Sequence, residues 1–366
     1  MIRYIRTANS RALAGTALLR LDFNTEDNWR MEAAVPTIKF LLRTASRVVI
    51  VSHRGRPEGK DLKFSLKKDA RNLSRLLKKK IIFVPRFEPA SIKKAIEKAP
   101  RGSVILLENL RFMKGEEEND PELAKKLASF VDFYVNDAFA VSHRANASVV
   151  AITKFLPSYA GLIMEKEIES LSRVVKNPVR PLVFILGGGK AADKLDIIQY
   201  FNKRADYFLL GGAAANTIEK FRGMDVRDSL VDTNPKSLRE LKKVVDYDNI
   251  VLPNDNVFYK DAIVDFGPET VKNFSEKIKI AKMIIWSGPL GLIEKKQFTK
   301  GTLAVAKAVA ANRKAFSLAG GGETVMFLKR AKLDKKFSFI STGGGAMIDF
   351  LAGKTLPGIK ALQNGK

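Results

Sequence analysis

Four glycine clusters in the second half of the chain each follow a short apolar run. Glycines between a strand and a helix let backbone N–H groups approach phosphate oxygens, and the helix N-terminus adds positive potential. One such turn is a weak signal, because tight turns also use glycine for conformational reasons. Four in one half predict a nucleotide site, although the Gly-x-x-x-x-Gly-Lys-Ser/Thr pattern of P-loop proteins is absent. The clusters are Gly187-Gly188-Gly189, Gly211-Gly212, Gly320-Gly321-Gly322 and Gly343-Gly344-Gly345.

In the first half, the ends of the predicted strands carry polar and cationic side chains instead. Arginine presents a planar fork that matches carboxylate and phosphate oxygens. Because ligands of open α/β sheets lie beyond the carboxyl ends of the strands, these groups predict a site for a small, highly anionic molecule. They are Asp22 and Asn24, His53 and Arg56, Glu108 to Arg111, and Asn136-Asp137 followed by His143-Arg144.

The composition limits the remaining chemistry. The chain has no cysteine and 2 histidines, His53 and His143. Disulfides, thiolate catalysis and cysteine-based metal sites are therefore excluded, and a multi-histidine zinc site is disfavoured. Catalysis has to use arginine, lysine, carboxylates or backbone amides, with or without a bound ion.

The formal net charge of +25 is the least usual bulk property of the chain. A field of this sign attracts phosphorylated metabolites, nucleotides, nucleic acids or acidic membrane surfaces. Much of the excess lies in lysine clusters in or beside predicted helices, where a solvated helix face is favoured over a nucleic-acid surface. Aromatic residues do not alternate with the basic ones, as stacking on single strands requires. The clusters are Lys67-Lys68, Lys78-Lys79-Lys80, Lys93-Lys94 and Lys335-Lys336.

Short apolar runs alternate with stretches of helical period along the chain. Such runs, bounded by glycine or polar residues, suit strands that are buried on both faces. Their alternation with helices such as Asp69–Lys79 and Pro121–Phe130 predicts an α/β fold with two doubly wound parallel-sheet (Rossmann-like) lobes. The predicted strands are Ala17–Phe23, Arg47–Ser52, Ile81–Val84, Val104–Leu107, Phe133–Val135, Leu182–Leu186, Tyr207–Leu210, Met283–Trp286, Ala315–Leu318 and Phe337–Ile340.

The length of 366 residues favours two domains. Breaks at Pro157–Gly161 and Asn177–Pro181 flank Leu162–Val175, which is interpreted as a connecting helix; a surface helix within one domain is the alternative. The prediction is an N-terminal lobe of residues 1–160, a connecting helix and hinge at 161–177, a C-terminal lobe at 178–350 and a tail at 351–366 that returns to the N-terminal lobe. No apolar run reaches the roughly 18 residues of a membrane span. The basic N-terminus lacks the uninterrupted apolar stretch of a signal peptide, so we expect a cytoplasmic protein.

Ten short motifs, taken together and in order, carry a resemblance. In the first half they are Leu21-Asp-Phe-Asn24, Val51-Ser-His-Arg-Gly-Arg-Pro57, Glu108-Asn-Leu-Arg-Phe112, Asn136-Asp-Ala-Phe139 and His143-Arg-Ala145. In the second they are Gly187-Gly-Gly-Lys-Ala-Ala-Asp-Lys194, Asp265-Phe-Gly-Pro268, Trp286-Ser-Gly-Pro-Leu-Gly291, Gly320-Gly-Gly-Glu-Thr324 and Ser341-Thr-Gly-Gly-Gly-Ala346. From about Leu19 to Gly358 the chain resembles the phosphoglycerate kinase family.

The resemblance implies reversible phosphoryl transfer between ATP and the carboxylate of 3-phosphoglycerate, which gives ADP and 1,3-bisphosphoglycerate. It also implies that a basic cluster in the N-terminal lobe binds 3-phosphoglycerate. Taken singly, His53 suits a structural role, Arg56 or Arg111 a surface ion pair, and Asp22 and Asn24 a turn. Carried over by motif, the substrate-binding residues are Asp22, Phe23, Asn24, Arg30, His53, Gly55, Arg56, Arg111 and Arg144.

For the C-terminal lobe the resemblance implies binding of ATP or ADP with Mg²⁺. Lys190 and Lys194 lie four residues apart at a predicted helix start, so both can face phosphates, with an exposed pair as the alternative. Glu294 is implied to bind the ribose, with a surface carboxylate as the alternative, and Glu323 to bind the metal. The nucleotide-binding residues are Lys190, Lys194, Gly212, Glu294, Gly321, Gly322, Glu323 and Thr324, and the loop at the transition state contains Gly343 and Gly344.

The expected mechanism follows from the needs of phosphoryl transfer, which are alignment of the reactants and neutralisation of charge on three equatorial oxygens. The acceptor carboxylate is already anionic, so no general base is expected. Arg30 and Lys194, one from each predicted lobe, are the implied catalytic residues. Loss of such a cation is expected to raise the barrier by about 3–5 kcal/mol. Since the two belong to different lobes, we expect hinge closure that also excludes water.

Two residues depart from the family pattern inside the expected active region. Glu323 stands where the family usually has aspartate, which moves the carboxylate oxygens outward by roughly 1.5 Å. Ser287 stands where the family usually has asparagine, and serine reaches less far. These changes bear on kinetic efficiency and on metal or nucleotide preference more than on the type of reaction.

Two other functions compete with this interpretation. The first is a catalytically impaired relative that binds nucleic acid or a membrane surface through its charge; retention of every assigned arginine and lysine argues against it. The second is an α/β phosphotransferase that acts on another phospho-acid. We expect a monomer with small-molecule substrates, no specific nucleic-acid partner and no membrane insertion.

Overall fold

The computed structural model describes residues 1–365, and for Lys236 the backbone only. The chain forms two compact units. The first contains Met1–Glu169 and the tail from Thr355 onward, and the second contains Ser170–Lys354. Each unit has its own parallel sheet, which confirms the predicted fold class.

The sheet of the first unit has six strands in the order β3-β4-β2-β1-β5-β6. All five residues of β1 are buried, as expected for a strand in the middle of a sheet that is covered on both faces. The order reverses at β1, because β2 pairs with it on one side and β5 on the other. The strands are β1 (Thr16–Arg20), β2 (Arg47–Val51), β3 (Ile81–Val84), β4 (Ser103–Leu107), β5 (Phe133–Asn136) and β6 (Ser158–Ala160).

The helices of the first unit place apolar side chains against this sheet. Ile38 and Leu41 of α1 and Leu73 of α2 belong to the same buried cluster as Leu19 and Ile50 of the strands. Proline occupies the first position of α3 and α4, where the missing N–H has no intrahelical partner to lose. The helices are α1 (Trp29–Thr44), α2 (Lys67–Leu77), α3 (Pro89–Lys98), α4 (Pro121–Ala128) and, after the second unit in sequence, α13 (Pro357–Asn364).

Helix α5 (Leu162–Lys176) contains the division between the two units, which falls between Glu169 and Ser170. Its first turn is held by Asp137, whose Oδ1 accepts hydrogen bonds from the N–H groups of Ile163 at 2.8 Å and Met164 at 3.0 Å. A carboxylate in this position compensates the free donors and the positive end of a helix.

The sheet of the second unit also has six strands, in the order β14-β13-β12-β7-β8-β9. The order reverses between β7 and β12, which pair in parallel. A separate antiparallel hairpin consists of β10 and β11. The strands are β7 (Leu182–Leu186), β8 (Tyr207–Leu210), β9 (Ile250–Val251), β10 (Asn256–Tyr259), β11 (Ala262–Phe266), β12 (Met283–Ser287), β13 (Phe316–Gly320) and β14 (Phe339–Ile340).

The second unit has its own apolar core. Phe274 and Ile278 of α9 and Val305 of α10 are fully buried against Ile284 and Trp286 of the central strand. The helices are α6 (Ala192–Phe201), α7 (Gly212–Phe221), α8 (Pro235–Leu241), α9 (Pro268–Ile280), α10 (Lys300–Ala311), α11 (Gly322–Arg330) and α12 (Gly345–Leu351). Within residues 1–365, no helix is long and apolar enough to cross a membrane.

Several predicted bounds were wrong by a few residues. The first strand ends at Arg20 rather than Phe23, and Leu21–Phe23 already belongs to the loop that carries Asp22. Helix α2 ends at Leu77 rather than Lys79, because Lys78 adopts a left-handed conformation with φ of 50°. Strand β6 lies within Pro157–Gly161, for which the sequence predicts only a break.

Candidate active site

Asp22 is the centre of the polar cluster at the carboxyl end of the first sheet. Its Oδ2 accepts a hydrogen bond from Nη1 of Arg30 at 2.7 Å, and its Oδ1 accepts one from the N–H of Asn24 at 2.7 Å. Oδ1 also lies 3.9 Å from Nδ1 of His53. Burial opposes the ionisation of Asp22, but the nearby positive charges and the N–H of Asn24 outweigh it, and its pKa is lowered. Loops after β1 and β2 and the first turn of α1 thus meet at one carboxylate.

Gly55 connects the loop after β2 to its neighbours. Its N–H donates to the Oδ1 of Asn24 at 2.8 Å, and its carbonyl accepts a short hydrogen bond from Nη1 of Arg111. Nη2 of Arg111 lies 3.1 Å from Oε1 of Glu117. Gly55 has a φ of 61°, and a side chain there would meet the ring of Phe64, so only glycine suits the position.

Four arginines approach one another in this cluster. Burial lowers the pKa of Arg111, and the positive charges of Arg144, Arg20 and Arg56 lower it further, while Glu117 opposes them. Like charges are held this close only where a ligand or an internal counter-charge compensates them. The geometry therefore suits a molecule with several negative charges.

His53 is neutral in this environment. Burial moves the pKa of the imidazole well below its usual value, Arg20, Arg111 and Arg144 act in the same direction, and Asp22 opposes them. Arg30, the predicted catalytic residue, keeps an Nε that has no hydrogen-bond partner among the described residues. Its side chain as a whole is 14% exposed, whereas the Nε atom itself is buried, so an incoming oxyanion can reach only other N–H groups of the guanidinium without a rearrangement.

The structure brings together eight of the nine predicted substrate-binding residues, and Phe23 has a different role. The side chain of Phe23 is 1% exposed and belongs to the apolar core. Its N–H donates to Oγ of Ser52 at 3.0 Å and its carbonyl accepts from Nη2 of Arg54 at 2.7 Å. Phe23 therefore holds the loop in place.

Sequence reasoning missed three residues of this region. Arg54 forms a two-pronged ion pair with Asp69, at 3.0 and 2.5 Å, and so fixes the loop after β2 on α2. Arg20 and Glu116 are both 1% exposed and lie 3.9 Å apart. For Arg20 the available signal was an arginine that directly follows the apolar run Ala17–Leu19 within the predicted strand. Nothing in the acidic run that contains Glu116 distinguished it from a solvated turn.

The second unit contains a cavity of about 230 Å³ at the carboxyl ends of its strands. Three predicted nucleotide-binding residues line it, namely Gly212, Glu294 and Glu323. Hydrophobic side chains cover another part of its wall, as a nucleobase requires. The remaining lining residues are Gly188, Gly189, Ala213, Asn216, Leu230, Ile263, Val264, Pro289, Leu290, Gly291 and Leu292.

Glycines allow the loops after β7 and β12 to cross at close range. Gly288 has a φ of 89°, and a side chain there would collide with the carbonyl oxygen of Gly187. Gly212 has a φ of 57°, and its Cβ would lie 3.0 Å from the carbonyl oxygen of Gly188. The buried Thr324 holds the crossing, since its Oγ1 accepts from the N–H of Gly288 at 2.9 Å. Thr324 therefore supports the loop, and its side chain does not line the cavity.

Lys194 is a buried cation next to this crossing. Its Nζ donates to Oγ of Ser287 at 3.2 Å. Burial lowers the pKa of Lys194 to about 8, Lys190 contributes in the same direction, and Asp193 and Glu323 oppose the change. Ser287, one of the two departures from the family pattern, thus contacts the predicted catalytic lysine directly.

The predicted helical pairing of Lys190 with Lys194 was wrong. Helix α6 begins at Ala192, so Lys190 lies before it and is exposed, whereas Lys194 is buried. The loop that follows β7 bends at Gly188 and Gly189 and continues to Ala191. Gly321 and Gly322 precede and begin α11, and Gly343 and Gly344 precede α12; none of the four lines the cavity.

Glu323 is the only predicted metal ligand, and its surroundings fit that role. It is exposed, lines the cavity and lies close enough to Lys194 to affect its pKa. In the described part of the chain, no three histidine, cysteine or carboxylate side chains converge on one point. Magnesium in phosphotransferases is usually bound by one or two carboxylates together with substrate phosphates, so a single glutamate suffices here.

Comparison with known proteins gives concordant results. A family model described as phosphoglycerate kinase matches residues 14–354. The phosphoglycerate kinase of Dictyoglomus turgidum is 41% identical over 376 residues, which covers 95% of this chain and 95% of that protein. Phosphoglycerate kinase 3, cytosolic, of Arabidopsis thaliana is 42% identical over 366 residues, with 93% and 91% covered. The crystal structure of phosphoglycerate kinase from Pyrococcus horikoshii is 32% identical, with a TM-score of 0.87 over 99% of this chain and 98% of that one.

Proposed function

The chain belongs to the phosphoglycerate kinase family, and from this premise we propose a residue-level account of its phosphoryl transfer. The enzyme is a kinase of glycolysis that acts reversibly between ATP and 3-phosphoglycerate. The observation that carries the account is the group of arginines around His53 and Asp22 in the first unit, which suits a small polyanion. A separate cavity in the second unit, lined by glycines, Glu294 and Glu323, suits a nucleotide.

In the first unit, Arg56, Arg111 and Arg144 bind the negative groups of 3-phosphoglycerate, with hydrogen bonds from Asn24 and neutral His53. Asp22 accepts from Arg30 and so orients its guanidinium, whose remaining N–H groups bind an oxygen of the transferring phosphoryl group. Guanidinium groups keep their charge at every accessible pH, so this affinity does not depend on a titrating cation.

In the second unit, the cavity binds the nucleoside and Glu294 accepts from the ribose. Backbone N–H groups near Gly212, Gly321 and Gly322 approach the phosphates. Glu323, together with nucleotide phosphates, would hold Mg²⁺, and the ion would neutralise phosphate charge. Gly343 and Gly344 are assigned to a loop that contacts the transferring group.

The reaction needs no general base. A carboxylate oxygen of 3-phosphoglycerate forms a bond to the γ-phosphorus while the bond from that phosphorus to the bridging oxygen breaks, and ADP leaves with its electron pair. Arg30 and Lys194 compensate the charge on the equatorial oxygens. They belong to different units, and the predicted hinge closure is the step that would place both at the transferring group.

The test is ATP turnover with Mg²⁺ and 3-phosphoglycerate, coupled to reductive removal of the acyl phosphate. Arg30→Ala is expected to lower kcat by about 10²- to 10⁴-fold, which corresponds to about 3–5 kcal/mol. Arg43→Ala is the matched control, because Arg43 is an exposed arginine in the last turn of the same helix. Absence of turnover in either direction, with Mg²⁺ or Mn²⁺, would contradict the account. Turnover with another phospho-acid in place of 3-phosphoglycerate would instead favour the related phosphotransferase.

We further propose a monomeric protein of the cytoplasm without a specific nucleic-acid partner. The name of the Arabidopsis relative includes the word cytosolic, which supports the location. Sedimentation velocity tests the monomer. Titration with arbitrary DNA and RNA tests the proposal that the protein has no nucleic-acid partner. A nucleic-acid surface would bind strongly, and its affinity would decrease steeply with salt concentration.

A further inference from the structure

The Nδ1 atom of His53 has one partner at hydrogen-bonding distance among the described residues. Nη2 of Arg20 lies 3.3 Å away, whereas Oδ1 of Asp22 is 3.9 Å away, which is beyond a hydrogen bond. A guanidinium group can donate but cannot accept. Nδ1 of His53 therefore has to be the acceptor, and the single proton of the neutral ring lies on Nε2.

We propose that Arg20 is a positioning residue that fixes His53 as the neutral Nε2–H tautomer, so that His53 donates a hydrogen bond from Nε2 to an oxygen of 3-phosphoglycerate. Only the identity of the ligand in this statement rests on the proposed function. The tautomer itself is a property of the free protein. With Nδ1–H instead, the nitrogen left for the ligand would be an acceptor and would repel an anion.

Arg20 is held in place by a buried network. Its Nε donates to Oγ of Ser148 at 2.9 Å, and its Nη1 donates to the carbonyl of Leu21. Ser148 in turn donates to Glu116 twice, from Oγ at 2.6 Å and from its N–H at 3.0 Å. Nε and Nη1 thus each have a fixed acceptor, and Nη2 is the nitrogen that faces Nδ1 of His53. A charge buried this deeply is tolerated because Glu116 is its counter-charge.

Only a neutral imidazole ring has two distinct tautomers, and the charged groups around His53 favour its neutral form. Arg20, Arg111 and Arg144 all oppose protonation of the ring, and burial opposes it more strongly. Among the described residues, Asp22 is the acidic group that acts in the other direction, and it is engaged by Arg30.

The other histidine provides an internal contrast. Nε of Arg144 donates to Nε2 of His143 at 3.2 Å, so the acceptor of this ring is Nε2 and its proton lies on Nδ1. The chain has 2 histidines, and the structure places them in opposite tautomers, each determined by a neighbouring arginine. One sample of the protein is therefore expected to contain both the Nε2–H and the Nδ1–H tautomer.

Long-range ¹H–¹⁵N correlation NMR of the ¹⁵N-labelled full chain at pH 7 distinguishes the two tautomers and the imidazolium. The expected spectrum has one ring of each tautomer, and His143→Gln identifies the signals of His53. A protonated Nδ1, an imidazolium or an even mixture at His53 overturns the proposal. No substrate is present, so this result does not depend on the enzymatic activity.

Arg20→Lys tests the cause, since lysine keeps the charge but loses the fork that holds the ring. His53 is expected to become a mixture of tautomers, and KM for 3-phosphoglycerate is expected to rise about tenfold with KM for ATP unchanged. An unshifted tautomer in the folded variant overturns the role of Arg20.

If Arg20→Lys does not fold, Ser148→Ala replaces it, because this change removes the acceptor of Nε of Arg20 and leaves the charge pair of Arg20 and Glu116. An unshifted tautomer there overturns the orienting network. The expected tautomers without 3-phosphoglycerate turnover would contradict the proposed substrate and leave the role of Arg20 intact.

Discussion

After β1 and β2 of the first unit, the groups at the candidate site are carboxylate, imidazole and guanidinium side chains. After β7 and β12 of the second unit, the chain consists largely of glycine, and the groups available to a ligand are backbone N–H groups and the wall of a cavity. Both sites are expected to bind phosphate, but they do so by different means. A small polyanion offers mostly charge, so side-chain forks define its site, whereas a nucleotide also offers a base and sugar that fill a shaped cavity.

The two solutions carry different structural costs. Cations close to one another in the first unit need internal counter-charges, which Asp22, Asp69 and Glu116 provide. The glycine loops of the second unit need no counter-charge, but they require backbone conformations and close contacts that exclude a Cβ, as at Gly288 and Gly212. Mutations should therefore act through charge in the first unit and through shape in the second.

Lys194 is the exception to this contrast, because it is a buried cation in the glycine-rich unit. Its replacement by methionine has the largest expected effect of the variants compared here. We expect kcat of Lys194→Met to fall about 10³-fold, because the charge on the transferring group loses a fixed cation. Lys203→Met is the matched control, since Lys203 is exposed just after the same helix. Steady-state kinetics measure both, and equal effects would show that net charge rather than position is responsible.

Arg144→Met is the next largest change and tests whether the first unit recognises one substrate only. KM for 3-phosphoglycerate is expected to rise by about 10- to 100-fold, as for the loss of a charged hydrogen bond, with KM for ATP unchanged. Arg101→Met removes an exposed arginine of the same unit and should leave both values within a factor of two. A parallel rise of KM for ATP would contradict the proposal that the first unit binds only 3-phosphoglycerate and the second only the nucleotide.

The pKa of Lys194, lowered to about 8, predicts a pH dependence that the arginine cluster lacks. The protonated amine binds phosphate, so kcat/KM for ATP should fall above pH 8, by about tenfold per pH unit. KM for 3-phosphoglycerate should not change over the same range. A rate profile that stays level to pH 9.5 would contradict this prediction.

The same shift has a consequence for stability. The unfolded chain binds a proton at Lys194 up to about pH 10.4, whereas the folded chain releases it near pH 8, so folding is disfavoured by the buried charge below pH 8. At pH 7 the free energy of unfolding of Lys194→Met should exceed that of the wild type by at most about 3 kcal/mol. This difference should disappear as the pH rises from 8 to 10. Urea unfolding at several pH values measures it.

Much of the fold was predictable because buried strands of parallel sheets have a simple signature. Leu182–Leu186 and Tyr207–Leu210 are apolar runs bounded by proline, aspartate or glycine, and the structure gives them the predicted bounds. The hairpin of β10 and β11 was missed. Its turn places Lys260 and Asp261 at φ values of 48° and 56°, conformations for which glycine or asparagine is the usual signal.

The residues of the candidate sites also divide into those that the sequence predicted and those that it did not. Side chains that follow strands, such as Asp22 and Arg111, were found because strand ends meet at one edge of a sheet. Arg20 was missed because its role depends on Ser148 and Glu116, which are distant in sequence. The error at Lys190 arose because the start of a helix after a glycine run is not marked by residue type alone. Position along the chain predicts which elements meet, but it does not predict which hydrogen bonds form within them.

The smallest expected effect comes from two glycines of the second unit and separates shape from backbone strain. Gly212 and Gly223 both have positive φ, 57° and 84°, so alanine at either position should lower the free energy of unfolding by about 1 kcal/mol. A Cβ at Gly223 meets nothing within 4 Å, whereas one at Gly212 lies 3.0 Å from the carbonyl of Gly188 at the wall of the cavity. Only Gly212→Ala should therefore raise KM for ATP, by about fivefold. Equal nucleotide kinetics in the two variants would mean that the glycines serve the fold alone, and that the contrast between a side-chain site and a backbone site does not hold at Gly212.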